Sequence, residues 1–275
     1  MPCHQYKSAI TQSGFNLIEL TLVIVVLAII SAGTASYIVD SMRSYSDSAR
    51  REQITSEARA ALERVVRELR NALPNSIRIQ TDLSGGITTH CIEFFPVKRG
   101  SAYLDLNTSA ATVSFSAVPF SSPGAGNHYV VVYPYATTPL YSSSNPGLLT
   151  GFNNASNTAA GEVLLSGSHR FNLSSARKRF YITESPVSFC INSGNQSLNR
   201  YNNYGININQ PAPPAGTIGL LANNIWLLDN GTNVIPFTYS AGSLSRAAVV
   251  KLDFRFMQSG EWVRITQEVQ IRNAP

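Results

Sequence analysis

Glu19 stands inside an apolar run. From Leu20 to Ile30 every residue is apolar except Thr21, and Phe15–Val39 is long enough to cross a bilayer, which takes about 20 residues. A carboxylate in such a segment costs on the order of 3 kcal/mol on insertion scales, so it needs a partner or a function. Taken alone, Glu19 is also readable as a stray acid near the end of the span that snorkels to the interface. The remaining chemistry-bearing residues are sparse. There is no Gly-x-Ser-x-Gly elbow, no phosphate-binding loop ending in Gly-Lys-Ser/Thr and no His-Glu-x-x-His pair. His90, His128 and His169 are widely spaced and read as structural, and no Asp-x-Asp run suggests a metal. The sequence therefore points to no enzyme, no cofactor and no metal site.

The context of Glu19 separates its two readings. Residues 1–14 are polar, lack an acid and end in Gly14; Phe15 follows, then Glu19 four residues later, then Leu20–Ile30. This arrangement resembles the type IV pilin and pseudopilin family. There, a polar leader ending in glycine is removed by a membrane prepilin peptidase, and an aromatic residue becomes the new N-terminus. The resemblance implies cleavage between Gly14 and Phe15 and N-methylation of Phe15. It makes Glu19 a filament-assembly residue whose carboxylate meets an α-amine, the chain's own or a neighbour's. The physics agrees: Gly14 has no side chain to obstruct a peptidase, residues four apart share a helix face, and a buried carboxylate is offset only by pairing. A secretory signal peptide cut at Gly33-Thr34-Ala35 is the competing reading. It leaves Glu19 without a purpose.

The element that carries these residues is a helix. No proline lies between Phe15 and Leu73. Beyond Val39 the pattern turns amphipathic, with Ile54, Ala58, Ala61, Leu62, Val65, Val66, Leu69 and Leu73 at helical spacing. Arg59, Glu63 and Arg67 form an i, i+4 ladder, Gly33 is the softest point, and Pro74 ends the helix. The expected organisation is a leader over 1–14, a transmembrane or filament-core helix over 15–39, an amphipathic continuation over 40–73 and a β-rich periplasmic head over 74–275. The fold class is α+β: a long helix packed on a mostly antiparallel sheet, a pilin-like lollipop.

In the head, Cys91–Val97, Thr112–Val118, His128–Tyr133, Arg179–Thr183 and Val187–Ile191 read as strands. Ala247–Met257 and Glu261–Ile271 read as a hairpin across Gln258-Ser259-Gly260. Tyr141–Ala160 and Asn192–Gly216 are rich in Asn, Ser, Gly and Pro and read as loops, either functional or mobile. Of three cysteines, Cys3 lies in the leader, leaving Cys91 and Cys190. An even pair facing an oxidising compartment reads as one disulfide, with two buried free thiols as the alternative. With 44% hydrophobic and 13% charged residues, the chain has the composition of a folded domain. The net charge of +5 is spread thinly. Its one tight cluster, Arg177-Lys178-Arg179, reads as a solvated strand edge. A nucleic-acid footprint needs a wider stripe with aromatics placed for stacking, so nucleic acid is not an expected partner.

Further likeness is carried by Ser44–Ile79, with Arg67-Glu68-Leu69-Arg70-Asn71-Ala72-Leu73-Pro74, by Cys91–Val97 and by the ending Val269–Pro275. These resemble the minor pilins of mannose-sensitive haemagglutinin (MSHA) pili, of the MshO type. They resemble more distantly the J-type pseudopilins of type II secretion. The likeness implies a single-pass inner-membrane protein with a periplasmic head, placed at the pilus tip after assembly. It implies as partners the prepilin peptidase, other minor pilins, the major pilin, the inner-membrane assembly platform and the lipid bilayer. Alternatives are a secretion pseudopilin, or a tip protein that binds DNA or a surface through Arg177–Arg179 or the long loops.

Overall fold

A computed structural model describes residues 14, 16–229, 232–242 and 246–271. Phe15, with the expected cleavage and methylation there, and leader residues 1–13 lie outside the described residues. The chain divides into two units, Met1–Arg50 and Arg51–Pro275. The architecture is α+β, with one long N-terminal helix and a mostly antiparallel β domain.

Helix α1 (Leu17–Arg70) opens on Asn16, whose backbone carbonyl accepts from Glu19 N at 3.0 Å and Leu20 N at 3.2 Å. Gly33 is helical like its neighbours. The helix ends before Pro74, earlier than the sequence predicts. The backbone of the next turn is taken into the sheet: Leu73 N donates to Phe95 O at 2.8 Å, and Val97 N donates to Asn71 O at 2.9 Å. Arg59, Glu63 and Arg67 form no ion pairs among the described residues. The i, i+4 pair is instead Arg64–Glu68, at 2.6 Å. Glu68 also takes Arg200, because Arg200 lies on the strand against which this helix packs and the Arg59 face does not.

The β domain starts with β1 (Arg78–Ser84), β2 (Ile87–Phe94), β3 (Val97–Asp105), β4 (Thr112–Ala117) and β5 (His128–Val132). A short helix α2 (Thr137–Tyr141) follows, then β6 (Leu149–Gly151), β7 (Glu162–His169), β8 (Arg179–Glu184), β9 (Val187–Asn192), β10 (Ser197–Asn202) and β11 (Thr217–Ala222). The last strands are β12 (Leu228–Asp229), β13 (Thr232–Asn233), β14 (Phe237–Ser240), β15 (Ala248–Gln258) and β16 (Glu261–Ile271). They form sheets of order β1-β2-β9-β10-β11, β6-β5-β8-β3-β4-β7 and β14-β15-β16, with β12-β13 as a separate pair.

Among the described residues, two buried clusters are the largest. In the first, Ile54, Ala58, Val65 and Leu69 of α1 bury against Phe94, Phe189 and Leu198 of the first sheet and Val250 and Phe254 of the third. The amphipathic spacing of α1 between Ile54 and Leu69 is therefore the packing face, and apolar burial on this scale is the main stabilising term. The second core lies on the six-stranded sheet, around Phe115, Phe171, Phe180 and Val130.

Strand order departs from the sequence reading in three places. The extended run at Cys91–Val97 breaks at Phe95-Pro96, where β2 hands over to β3, because Pro96 has no N–H for a ladder. The closing hairpin has a two-residue turn: Gln258 pairs with Glu261, while Ser259 and Gly260 take positive φ of 50° and 88°. That is the turn whose twist matches the flanking strands. The stretches read as loops contain strands, β6 in the first and β10 in the second.

Candidate functional site

The first candidate is the start of α1. Glu19 lies in its first turn and is exposed. An acid there also complements the positive end of the helix dipole. A Cβ placed on Gly14 would meet no atom within 4 Å, so the backbone at the expected cleavage point is open to approach. Along the following turns the apolar side chains face outward: Leu17 is 77% exposed and Ile29 68%. This segment is long and apolar enough to cross a membrane, and none of it is buried within the chain. The apolar surface runs on past Val39 through Met42 and Tyr45. A surface of this extent needs lipid or other apolar surfaces around it.

Cys91 and Cys190 are joined in a disulfide, with Cα atoms 4.1 Å apart. They face each other in register on β2 and β9, in the middle of the first sheet. Tyr201, Tyr204 and Ala212 cover the bond.

Beside it lies a buried polar network that sequence reasoning missed. The carboxylate of Glu93 is wholly buried and paired with Arg78. It also accepts from Tyr204 Oη at 2.8 Å, and Tyr204 shares a hydrogen bond with Ser188 at 2.8 Å. Burial pushes the Glu93 carboxyl up, while Arg78 and Tyr204 pull it partly back. The phenol of Tyr204 is driven upward by burial and by the negative charge of Glu93. The Arg78 guanidinium donates to Ile208 O at 2.8 Å and Asn207 O at 2.7 Å, and lies 3.5 Å over the ring of Tyr141. The segment after β10, expected to be either functional or mobile, is thus pinned to β1 and β2. Arg78, Glu93, Tyr204 and Ser188 each bond within this network, which is the arrangement of a structural network.

Among the described residues, His90, His128 and His169 stay apart. His90 bonds Thr81 at 2.8 Å, His169 bonds Gly147 O at 3.3 Å, and His128 packs edge-on to Phe152. Burial lowers the first two below the ordinary histidine range. Among the described residues, no three His, Cys, Asp or Glu side chains gather where they could hold a metal.

The basic cluster is placed differently from its sequence reading. Arg177 and Arg179, at the start of β8, line a cleft of about 630 Å³, and Arg67 and Arg70 from the last turn of α1 line it as well. Lys178 does not line it: with φ 53°, it sends its Nζ toward Leu104 O at 3.5 Å. The cluster is a cleft wall, not only a solvated edge. The signal for it was in the sequence only as arginines about a hundred residues apart, which nothing local connects.

No family model matches the chain, and neither a curated protein nor a solved structure does.

Proposed function

We propose that the chain is a minor type IV pilin of the MSHA type, processed between Gly14 and Phe15 and N-methylated at Phe15. It acts in starting or assembling a pilus and does no chemistry itself. One observation carries the reading: Glu19 sits in the first turn of an outward-facing apolar helix that begins just after an exposed Gly14. In an ordinary anchor a carboxylate there would only snorkel to the interface or complement the helix dipole. In a filament subunit the carboxylate pairs with the new α-amine and so registers each added subunit. Two further features support it. The helix continues unbroken through Gly33–Ala35, where a signal peptide would be cut, and the β domain carries a disulfide suited to an oxidising periplasm. The apolar segment holds the chain in the inner membrane before assembly.

Deleting the gene in its host tests the reading. Surface pili are expected to disappear while major pilin accumulates in the membrane. Normal piliation with blocked export of folded enzymes would instead identify a pseudopilin of type II secretion.

A further inference from the structure

The cleft between the end of α1 and β8 has two charged walls. Arg67 and Arg70 project from one, Arg177 and Arg179 from the other. None of these four guanidinium groups has an ion-pair or hydrogen-bond partner among the described residues. Glu68 holds Arg64 and Arg200 and Glu184 holds Lys98, while Glu63, one turn before Arg67, forms no ion pair with any of the four among the described residues. The rest of the lining is uncharged, Ala72, Pro74, Gly100 and Tyr181 among it. Arg67 and Arg70 in part complement the negative end of the helix dipole. That does not account for Arg177 and Arg179, which bring further positive charge to the same space at a cost in repulsion.

We propose that this cleft binds an acidic peptide segment of a partner protein. Arginine forks match carboxylates two bonds at a time, which suits side chains presented alternately to two facing walls. The volume lies within the range of ligand-binding clefts, about 300–1,000 Å³. Four cations on two walls require several negative charges on one ligand, more than a single small anion brings. A polynucleotide fits less well. The positive surface is one concavity and not a stripe, and its aromatic rings, Phe180 and Tyr181, are buried or half-buried in the lining and not presented for bases to stack on. The proposal goes beyond filament membership and does not rest on it.

The test is fluorescence anisotropy of labelled hexaglutamate with the full-length chain in detergent. Saturable binding that weakens with salt is expected. Arg67→Gln/Arg70→Gln and Arg177→Gln/Arg179→Gln should each weaken it by at least about tenfold. Arg59→Gln, an exposed arginine outside the cleft, should leave it unchanged. Arg177→Gln/Arg179→Gln and Arg59→Gln should melt with the parent, since no internal ion pair is lost, and Arg67→Gln/Arg70→Gln only a few degrees below it, from the lost helix-dipole contribution. Absence of saturable binding, or binding by either double variant equal to that of the parent, overturns the proposal. So does stronger displacement of the peptide by a short single-stranded oligodeoxynucleotide, or by inorganic phosphate, than by unlabelled hexaglutamate.

Discussion

Cys91 and Cys190 stand directly opposite each other on adjacent antiparallel strands, 99 residues apart in sequence and bonded in space. The bond closes a loop that contains β3 to β8, the whole six-stranded sheet. Loop-closure entropy makes such a link worth about 2–5 kcal/mol. Cys91→Ser/Cys190→Ser is therefore expected to lower the unfolding free energy by that amount in urea titrations. Reductant should reproduce the loss in the parent and do nothing further to the variant. A change below about 0.5 kcal/mol would show that the bond adds nothing to the fold.

The Arg78–Glu93 pair predicts an asymmetry. Arg78→Met leaves a wholly buried carboxylate without its cation and should cost about 3–5 kcal/mol. Adding Glu93→Gln to that variant should recover part of the loss, because the remaining group is then neutral. Chemical denaturation of the two singles and the double measures the coupling. Arg78→Met should also free the segment at Asn207 and Ile208 and speed its proteolytic cleavage.

Acid should weaken the β domain, and Asp253 is one reason. Its carboxyl is held below the usual range chiefly by hydrogen bonds from Arg264, at 2.9 and 2.6 Å. A depressed carboxylate contributes stability that is present above its unfolded pKa and lost as pH falls through the folded one. His90 and His169, lowered by burial, add a loss that begins below about pH 6.5. Glu93 acts in the opposite direction: its raised carboxyl favours the fold at low pH, and that contribution fades as pH rises through its folded value. Asp253→Asn should flatten the low-pH arm of a stability profile while lowering stability at neutral pH. An unchanged slope would contradict this assignment.

Much of the frame was legible in the sequence because it rests on local pattern. The apolar run after Glu19, the spacing from Ile54 to Leu69 and the alternation on either side of Ser259-Gly260 each specify an element without outside help. The missed parts depend on distant partners. β10 reads as loop because Ser197 and Asn199 are polar. They are buried all the same, Asn199 donating to Ser197 at 2.7 Å within a sheet covered on both faces. Glu93 looked like any strand acid until Arg78 and Tyr204 closed around it. The cleft needs α1 and β8 together, and neither segment alone signals it.

Glu19 carries the assembly reading. Glu19→Gln should sharply reduce incorporation into pili, scored by immunoblot of sheared filaments, while head stability stays at the parent value. Incorporation equal to the parent would remove the role assigned to its charge.

The central claim is processing between Gly14 and Phe15, and it is tested most directly by intact mass and N-terminal analysis of the membrane-extracted chain. The comparison is between hosts with and without prepilin peptidase. The account predicts loss of residues 1–14 and a methylated Phe15 only where the peptidase is present. A chain that stays whole in both hosts, or is cut near Ala35, would contradict it.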